Sequence, residues 1–284
     1  MKIYIHSNYS QLFGAKVSKY LFNKLGITNI EIKLVEDDPF LTKLNKKKYL
    51  RAGKKEKYLI NDLQSFTLTR FSAEMDDDAK DGYLMMDPDI FPIKNPEKFI
   101  SEIDHVDTFD LLARPLPRSN HKEHLLNGFA SSVFYRKPSK GYLWDYEKII
   151  NDIFNDRLDY NQAITLSCFN NLNIKDLPEK MNSYDQLNDE TILLHNTGRV
   201  TQPWKSGLEI DYINHKIPKH KRLINKFIGR KQYYLPHPDK NQIEFFITST
   251  REAMNAKYID ESYVLECIKN KYIRSDMMQL LESC

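Results

Sequence analysis

Asp87-Pro88-Asp89, set directly after the apolar run Tyr83-Leu84-Met85-Met86, constrains this chain more than any other feature. Four large apolar residues without alternation read as a strand buried on both faces. Such strands belong to parallel α/β sheets covered by helices. Two carboxylates one residue apart at the carboxyl end of that strand stand where open α/β sheets place their chemistry. Pro88 fixes its own φ and biases Asp87 towards extended backbone, which holds the two carboxylates in a fixed relation. A pair held this way is a compact grip for a hard cation. The competing reading is a plain strand-ending turn, since Asp and Pro both favour turns.

The flanking sequence supports the sheet. Residues 3–5 form a short apolar strand that runs into His6-Ser7-Asn8. Leu12, Val17, Tyr20, Leu21 and Leu25 share a helical face that Gly26 ends, and residues 30–35 alternate as a second strand. This β-α-β opening starts a parallel α/β sheet. Further strands are expected at 110–113, 129–135 and 192–195, and helices at 62–71, 142–155 and 159–169. Residues 43–57, dense in lysine, read as an exposed loop or helix edge. Beyond about Gly207 the texture shifts to basic residues, aromatic pairs and helical periodicity over 252–281. The expected organisation is one α/β domain over 1–206 and a basic, helical extension over 207–284.

Composition narrows the partners. A hydrophobic fraction of 41% over 284 residues supports a packed core rather than disorder, and a net charge of +3 gives no strong overall field. Cys168, Cys267 and Cys284 are too widely spaced for a zinc cluster. With no signal peptide and no apolar run long enough to span a bilayer, they favour a reducing, cytoplasmic setting. The N-terminus reads directly as a core strand, with no leader to remove.

A second motif completes the chemistry. At the end of strand 192–195, His195-Asn196-Thr197-Gly198 is followed by Gln202-Pro203-Trp204. Manganese accepts imidazole nitrogen together with carboxylate oxygen, so Asp87, Asp89 and His195 form a coherent ligand set. A satisfied core histidine is the bland alternative for His195. Both motifs close apolar strands, which together indicates a metal-dependent enzyme acting on a diphosphate, with a sugar nucleotide the indicated substrate.

On these residues the chain resembles the family 8 glycosyltransferases, which include glycogenin and bacterial lipopolysaccharide sugar transferases. That family pairs an Asp-x-Asp after a strand with a later His-x-x-Gly and Lys-Pro-Trp. Leu177-Pro178 followed by Met181-Asn182 is similar to its Leu-Pro-x-x-Trp-Asn. The resemblance spans about residues 1–206. It implies a GT-A fold with a mixed, mainly parallel sheet, a UDP-sugar donor, manganese or magnesium, and a glycan or lipid-linked glycan acceptor. By position, Asp87, Asp89 and His195 would hold the metal, with Asp87 also touching the nucleotide. Gly198 would admit the diphosphate, and Arg70 would contact the donor, against the alternative of a surface ion pair. Ser7 would meet the nucleoside, with His6 and Asn8 as further candidates. Gln162 would lie beside the anomeric carbon, with Asn161 in place of the family aspartate. A glutamine is a poor nucleophile, so retention through front-face displacement, assisted by the leaving diphosphate, is the implied route of hexosyl transfer.

The chain departs from the pattern at Gln202, where the family has lysine, and Arg199 or Lys205 would supply that charge. Segment 216–231, opened by Lys216 and closed by Lys231, interleaves Leu223, Ile224, Phe227 and Ile228 with basic residues. Two readings stand for it: an interfacial membrane helix, or a solvated helix packed on the core. Trp204, Tyr233 and Tyr234 read as packing residues or sugar platforms. No nucleic-acid module is present, so none is expected as partner. A sugar-nucleotide nucleotidyltransferase is the alternative enzyme, although residues 6–16 lack its Gly-rich basic loop. A catalytically degenerate nucleotide- or glycan-binding protein is the alternative outside enzymes.

Overall fold

The computed structural model describes residues 1–104, 108–116, 128–139, 141–212, 220, 221, 224, 227–229 and 231–283. Two compact units are present: residues 1–61 with 65–195, and residues 62–64 with 196–284. The expected boundary at 206/207 differs from this division by the segment 196–206.

Six strands build the main sheet of the first unit: β1 (Lys2–Ser7), β2 (Ile30–Leu34), β5 (Tyr83–Met86), β7 (Leu111–Pro115), β8 (Phe129–Arg136) and β9 (Ile174–Asp176). Their order is β2-β1-β5-β8-β7-β9. Pairings β1–β2, β1–β5 and β7–β9 are parallel, and β8 runs antiparallel to both neighbours. The sheet is therefore mixed and mainly parallel, as expected. All four residues of β5 are fully buried, which is why the sequence there is a run rather than an alternation. Alternation in β1 divides the core. Ile3 and Ile5 join Ala15 and Phe22 of helix α1 (Leu12–Lys24) with Leu84 and Met86 on one face. Tyr4 joins Tyr83, Met85 and Phe134 on the other, under α4 (Tyr146–Phe154).

A smaller sheet, in the order β10 (Ser183–Tyr184), β11 (Leu193–His195), β6 (Ile90–Pro92), lies beyond β5 in the chain path. Three short helices also belong to this unit: α2 (Pro39–Lys43), α3 (Pro96–Asp104) and α5 (Tyr160–Ile164).

Three expectations change. The lysine-rich stretch is a hairpin, β3 (Lys48–Arg51) and β4 (Lys54–Lys57), turned by Ala52 and Gly53 at φ of 50° and 70°. Tyr49 is its buried anchor, edge-on to Tyr58 and Tyr160. The segment Ser65–Met75 is a 3-10 helix, not an α-helix. Thr69 Oγ1 and Ser72 Oγ each donate to the carbonyl three residues back, which favours the tighter winding. The helix expected over 159–169 stops at Ile164, and Leu166 turns left-handed at φ 56°.

In the second unit the helical content starts earlier than expected: α6 (Lys240–Asn255), α7 (Glu261–Lys269) and α8 (Met277–Ser283). Asp239 and Asp260 cap α6 and α7 with their carboxylates. Trp204 is fully buried, 4.9 Å from the Phe246 ring, so it packs in the core rather than offering a sugar platform. Tyr234 is buried too, while Tyr233 is exposed. Cys168 is half-buried and Cys267 is buried; Cys284 lies outside the described residues. No described helix is long and apolar enough to cross a membrane.

Candidate active site

The Asp-Pro-Asp segment is the crossing between the two sheets of the first unit. Asp87 N donates to Ser132 O at 2.9 Å, which extends the contact between the β5 and β8 chains past the end of β5. Pro88 then turns the chain, and Ile90 enters β6 directly after Asp89. β6 pairs antiparallel with β11, and Ile90 stands opposite His195. The short sheet thus delivers the imidazole to the carboxylates. Ligand atoms of Asp87, Asp89 and His195 all lie within 4.8 Å of one another. His195 Nε2 is 3.5 Å from Asp89 Oδ1. These three donors, two hard oxygens and one borderline nitrogen, fit a divalent cation.

The electrostatics favour that use. Burial, reinforced by Arg70 and Arg114, lowers the His195 pKa to about 3, so the ring is neutral and able to ligate. Its Nδ1 is 2.8 Å from Asn182 Oδ1. Arg70, from the 3-10 segment, forks onto Asp87: Nε reaches Oδ1 at 2.9 Å and Nη2 meets Oδ2. Its Nη1 donates to Ser131 Oγ at 2.7 Å, and Ser131 donates to Ile164 O at the end of α5. Arg70 is 5% exposed, so the alternative of a surface ion pair is replaced by a buried pair with a candidate metal carboxylate.

The other expected residues divide by position. His6, Ser7 and Asn8 lie at the carboxyl end of β1, next to β5, and all three are buried. His6 Nδ1 is 2.8 Å from Thr69 Oγ1, one residue before Arg70. Burial, then Lys33 and Arg70, hold His6 well below the usual histidine range. Asn8 organises the β1–α1 turn, accepting from Gln11 N and donating to Ser65 Oγ. Ser7 Oγ donates to Asn8 O. Gln162 is exposed at the third position of α5, where its side chain accepts from Asp159 N at 3.4 Å in a capping box. Asn161 precedes it and is half-buried.

Gly198, Arg199 and Lys205 belong to the second unit. Gly198 O accepts from Thr201 N and Oγ1 at 2.7 and 3.0 Å. Arg199 is exposed. Lys205 is fully buried and ion-paired with Asp211, which also accepts from the Tyr234 phenol at 2.5 Å. Burial lowers the Lys205 pKa against the opposing pull of Asp211. Its charge is therefore matched inside its own unit.

Sequence reasoning missed a supporting layer: Ser131, Asn182, Tyr184 and Arg114. Arg114 stacks over the Tyr184 ring at 3.9 Å, and Tyr184 stands edge-on to His195 at 5.4 Å. A bulge between Ala113 and Arg114 re-aims the end of β7. Only Asn182 carried a sequence signal, through the motif resemblance.

No protein-family model matches the chain, and no curated protein matches it. Solved structures similar to the chain include several glycosyltransferases. The galactosyltransferase LgtC, crystallised with donor and acceptor sugar analogues, is 13% identical, with a TM-score of 0.46 over 82% of this chain and 96% of that one. The glycosyltransferase GlyE of Streptococcus pneumoniae TIGR4 is 12% identical, with a TM-score of 0.46 over 90% of this chain and 64% of that one. The bifunctional glycosyltransferase WbbM is 7% identical, with a TM-score of 0.47 over 91% of this chain and 51% of that one.

Proposed function

We propose that this protein is a metal-dependent glycosyltransferase of GT-A type, moving a hexosyl group from a UDP-sugar to a glycan or lipid-linked glycan acceptor. The observation behind the reading is the convergence of Asp87, Asp89 and neutral His195 at the carboxyl edge of the sheet. Manganese or magnesium bound there supplies charge neutralisation for a departing diphosphate. Arg70 orients Asp87 and keeps a guanidinium beside the site. His6, Ser7 and Asn8, on the neighbouring strand end, are the proposed nucleoside contacts. Gln162 and Asn161 are the proposed residues beside the reacting sugar carbon, with retention of configuration. For that role the Gln162 side chain must exchange its long bond to Asp159 N for substrate. Gly198 and the exposed Arg199 are the proposed contacts to the diphosphate. Lys205, matched by Asp211, is the weaker of the two basic candidates.

The test is product release from a panel of UDP-sugars, with manganese and with chelator, for wild type and Asp89→Ala. Manganese-dependent UDP release that the variant loses is the expected result. Pyrophosphate release would instead assign nucleotidyl transfer, and donor binding without turnover would assign a binding role.

A peripheral membrane contact belongs to the same proposal. Ile224, Phe227 and Ile228 are 55%, 94% and 65% exposed, so these residues do not pack on the core. No acidic residue occurs between His215 and His237. Exposed apolar side chains within a basic segment suit an anionic lipid surface. Co-sedimentation with phosphatidylglycerol vesicles that Phe227→Ser abolishes is the expected result; equal recovery with neutral vesicles removes the electrostatic part.

A further inference from the structure

We propose that Asn182 is a positioning residue: it fixes the ring proton of His195 on Nδ1 and so aims the Nε2 lone pair at Asp87 and Asp89. The inference rests on the metal-site reading above.

A neutral imidazole has one N–H, and the two ring nitrogens of His195 meet different neighbours. Nδ1 lies 2.8 Å from Asn182 Oδ1, a full hydrogen bond, and an amide oxygen can only accept. Nε2 lies 3.5 Å from Asp89 Oδ1, too long for a normal N–H···O bond. The proton therefore belongs on Nδ1. Free imidazole side chains in water prefer the opposite tautomer, so the protein imposes this one.

Asn182 is built to impose it. It is fully buried, between a 3-10 turn (Glu179–Met181) and β10. Its backbone is held at both ends: N donates to Glu179 O at 2.9 Å, and O accepts from Arg114 Nη1 at 2.5 Å. Its Nδ2 donates to Ser132 Oγ at 3.3 Å, which turns Oδ1 towards the histidine. Ser132 is also the residue whose carbonyl receives Asp87 N. One short chain of contacts thus joins the orienting amide to the backbone of Asp87. Tyr184, paired with His195 in the β10–β11 register, closes the ring's side edge-on at 77°. A partner on the far nitrogen that fixes the tautomer is the usual support of a metal-binding histidine.

The experiment uses full-length protein labelled with 15N-histidine and Asn182→Leu and Asn182→Asp variants. Two-bond 15N–1H correlation on the metal-free protein reads the tautomer, and electron paramagnetic resonance titration reads Mn2+ affinity. Wild type is expected to show the proton on Nδ1. Asn182→Leu, which keeps the volume but loses the acceptor, is expected to move the proton to Nε2 and weaken Mn2+ by about 10–100-fold. Asn182→Asp keeps an acceptor oxygen and is expected to retain the wild-type tautomer and bind close to wild type. A wild-type proton on Nε2 overturns the inference, as does a folded Leu variant with unchanged tautomer and affinity. Should the Leu variant fail to fold, the wild-type tautomer decides. Absence of Mn2+ binding in wild type overturns the metal reading instead, and the metal-free tautomer still decides this one.

Discussion

Replacing Arg70 by methionine tests the charge arrangement of the site without any assumption about substrate. Methionine keeps much of the length and apolar contact and removes the guanidinium. In wild type that group forks onto Asp87 and bonds Ser131, with side chains only 7% and 10% exposed for Arg70 and Asp87. Removing one partner of a buried pair leaves an uncompensated charge and costs about 3–5 kcal/mol. At about 2–4 °C per kcal/mol for a unit of this size, the apparent Tm in chelator should fall by roughly 6–20 °C. A divalent cation held by Asp87, Asp89 and His195 would replace the lost positive charge. At 100 times its Kd it restores about 2.7 kcal/mol by mass action, so manganese should recover about half or more of the loss. Differential scanning fluorimetry of wild type and variant, each with chelator and with manganese, reads all four values. A variant whose Tm in chelator matches wild type refutes the buried-pair argument. A variant destabilised in chelator but unmoved by manganese refutes the metal placement alone.

Asp89→Asn removes a ligand charge while keeping shape; Mn2+ affinity read by calorimetry should fall by at least about 10-fold, and equal affinity would exclude Asp89 as a ligand. His6 is held neutral in the folded protein and is protonated more easily once unfolded, so its contribution to stability is present above about pH 6.5 and is lost as pH falls below it. His6→Gln should accordingly lose less stability than wild type between pH 7 and pH 5, by up to about 2 kcal/mol in urea melts. Gly82 has φ +80°, and a Cβ there would stand 2.7 Å from Pro138 Cδ and 3.0 Å from Arg136 O. Gly82→Ala should therefore cost about 2 kcal/mol or more, measured by the same melts, and a neutral result would mean that the β8 end yields freely.

The strands were legible because burial alone dictates their composition. β5 could be read as a central strand because no solvent-facing position interrupts it, and β1 because its alternation separates Ile3 and Ile5 from Tyr4. The hairpin at β3–β4 was not legible. Seven of its eight residues are exposed or half-buried and mostly charged, leaving Tyr49 as the single buried anchor, and its turn uses left-handed Ala52 rather than a recognised Asn-Gly pair. The 3-10 segment was misread for a related reason: the apolar spacing from Phe66 to Phe71 suits either winding, and hydroxyl bonds to the backbone decide between them.

The site separates along the same line. The candidate cluster of Asp87, Asp89 and His195 could be read because few residue types can ligate a metal, and each stands at a strand end that hydrophobic patterning exposes. Arg70 could be named but not assigned, since one sequence cannot distinguish a guanidinium that meets a donor from one that meets a carboxylate. Here it meets Asp87; at Gln202 the motif that the sequence resembles has a lysine. Arg70, the two carboxylates and the neutral ring sum to −1, with the nearby Arg114 paired to Glu179. A divalent ion held there would bring that sum to +1. In the second unit Lys205 is committed to Asp211, and Arg199 is the exposed cation of the motif. Arg199→Ala should therefore raise the donor KM more than Lys205→Met does in any variant that still folds. The reverse order, measured with a saturating acceptor, would show that the Asp211 pair opens to serve the diphosphate.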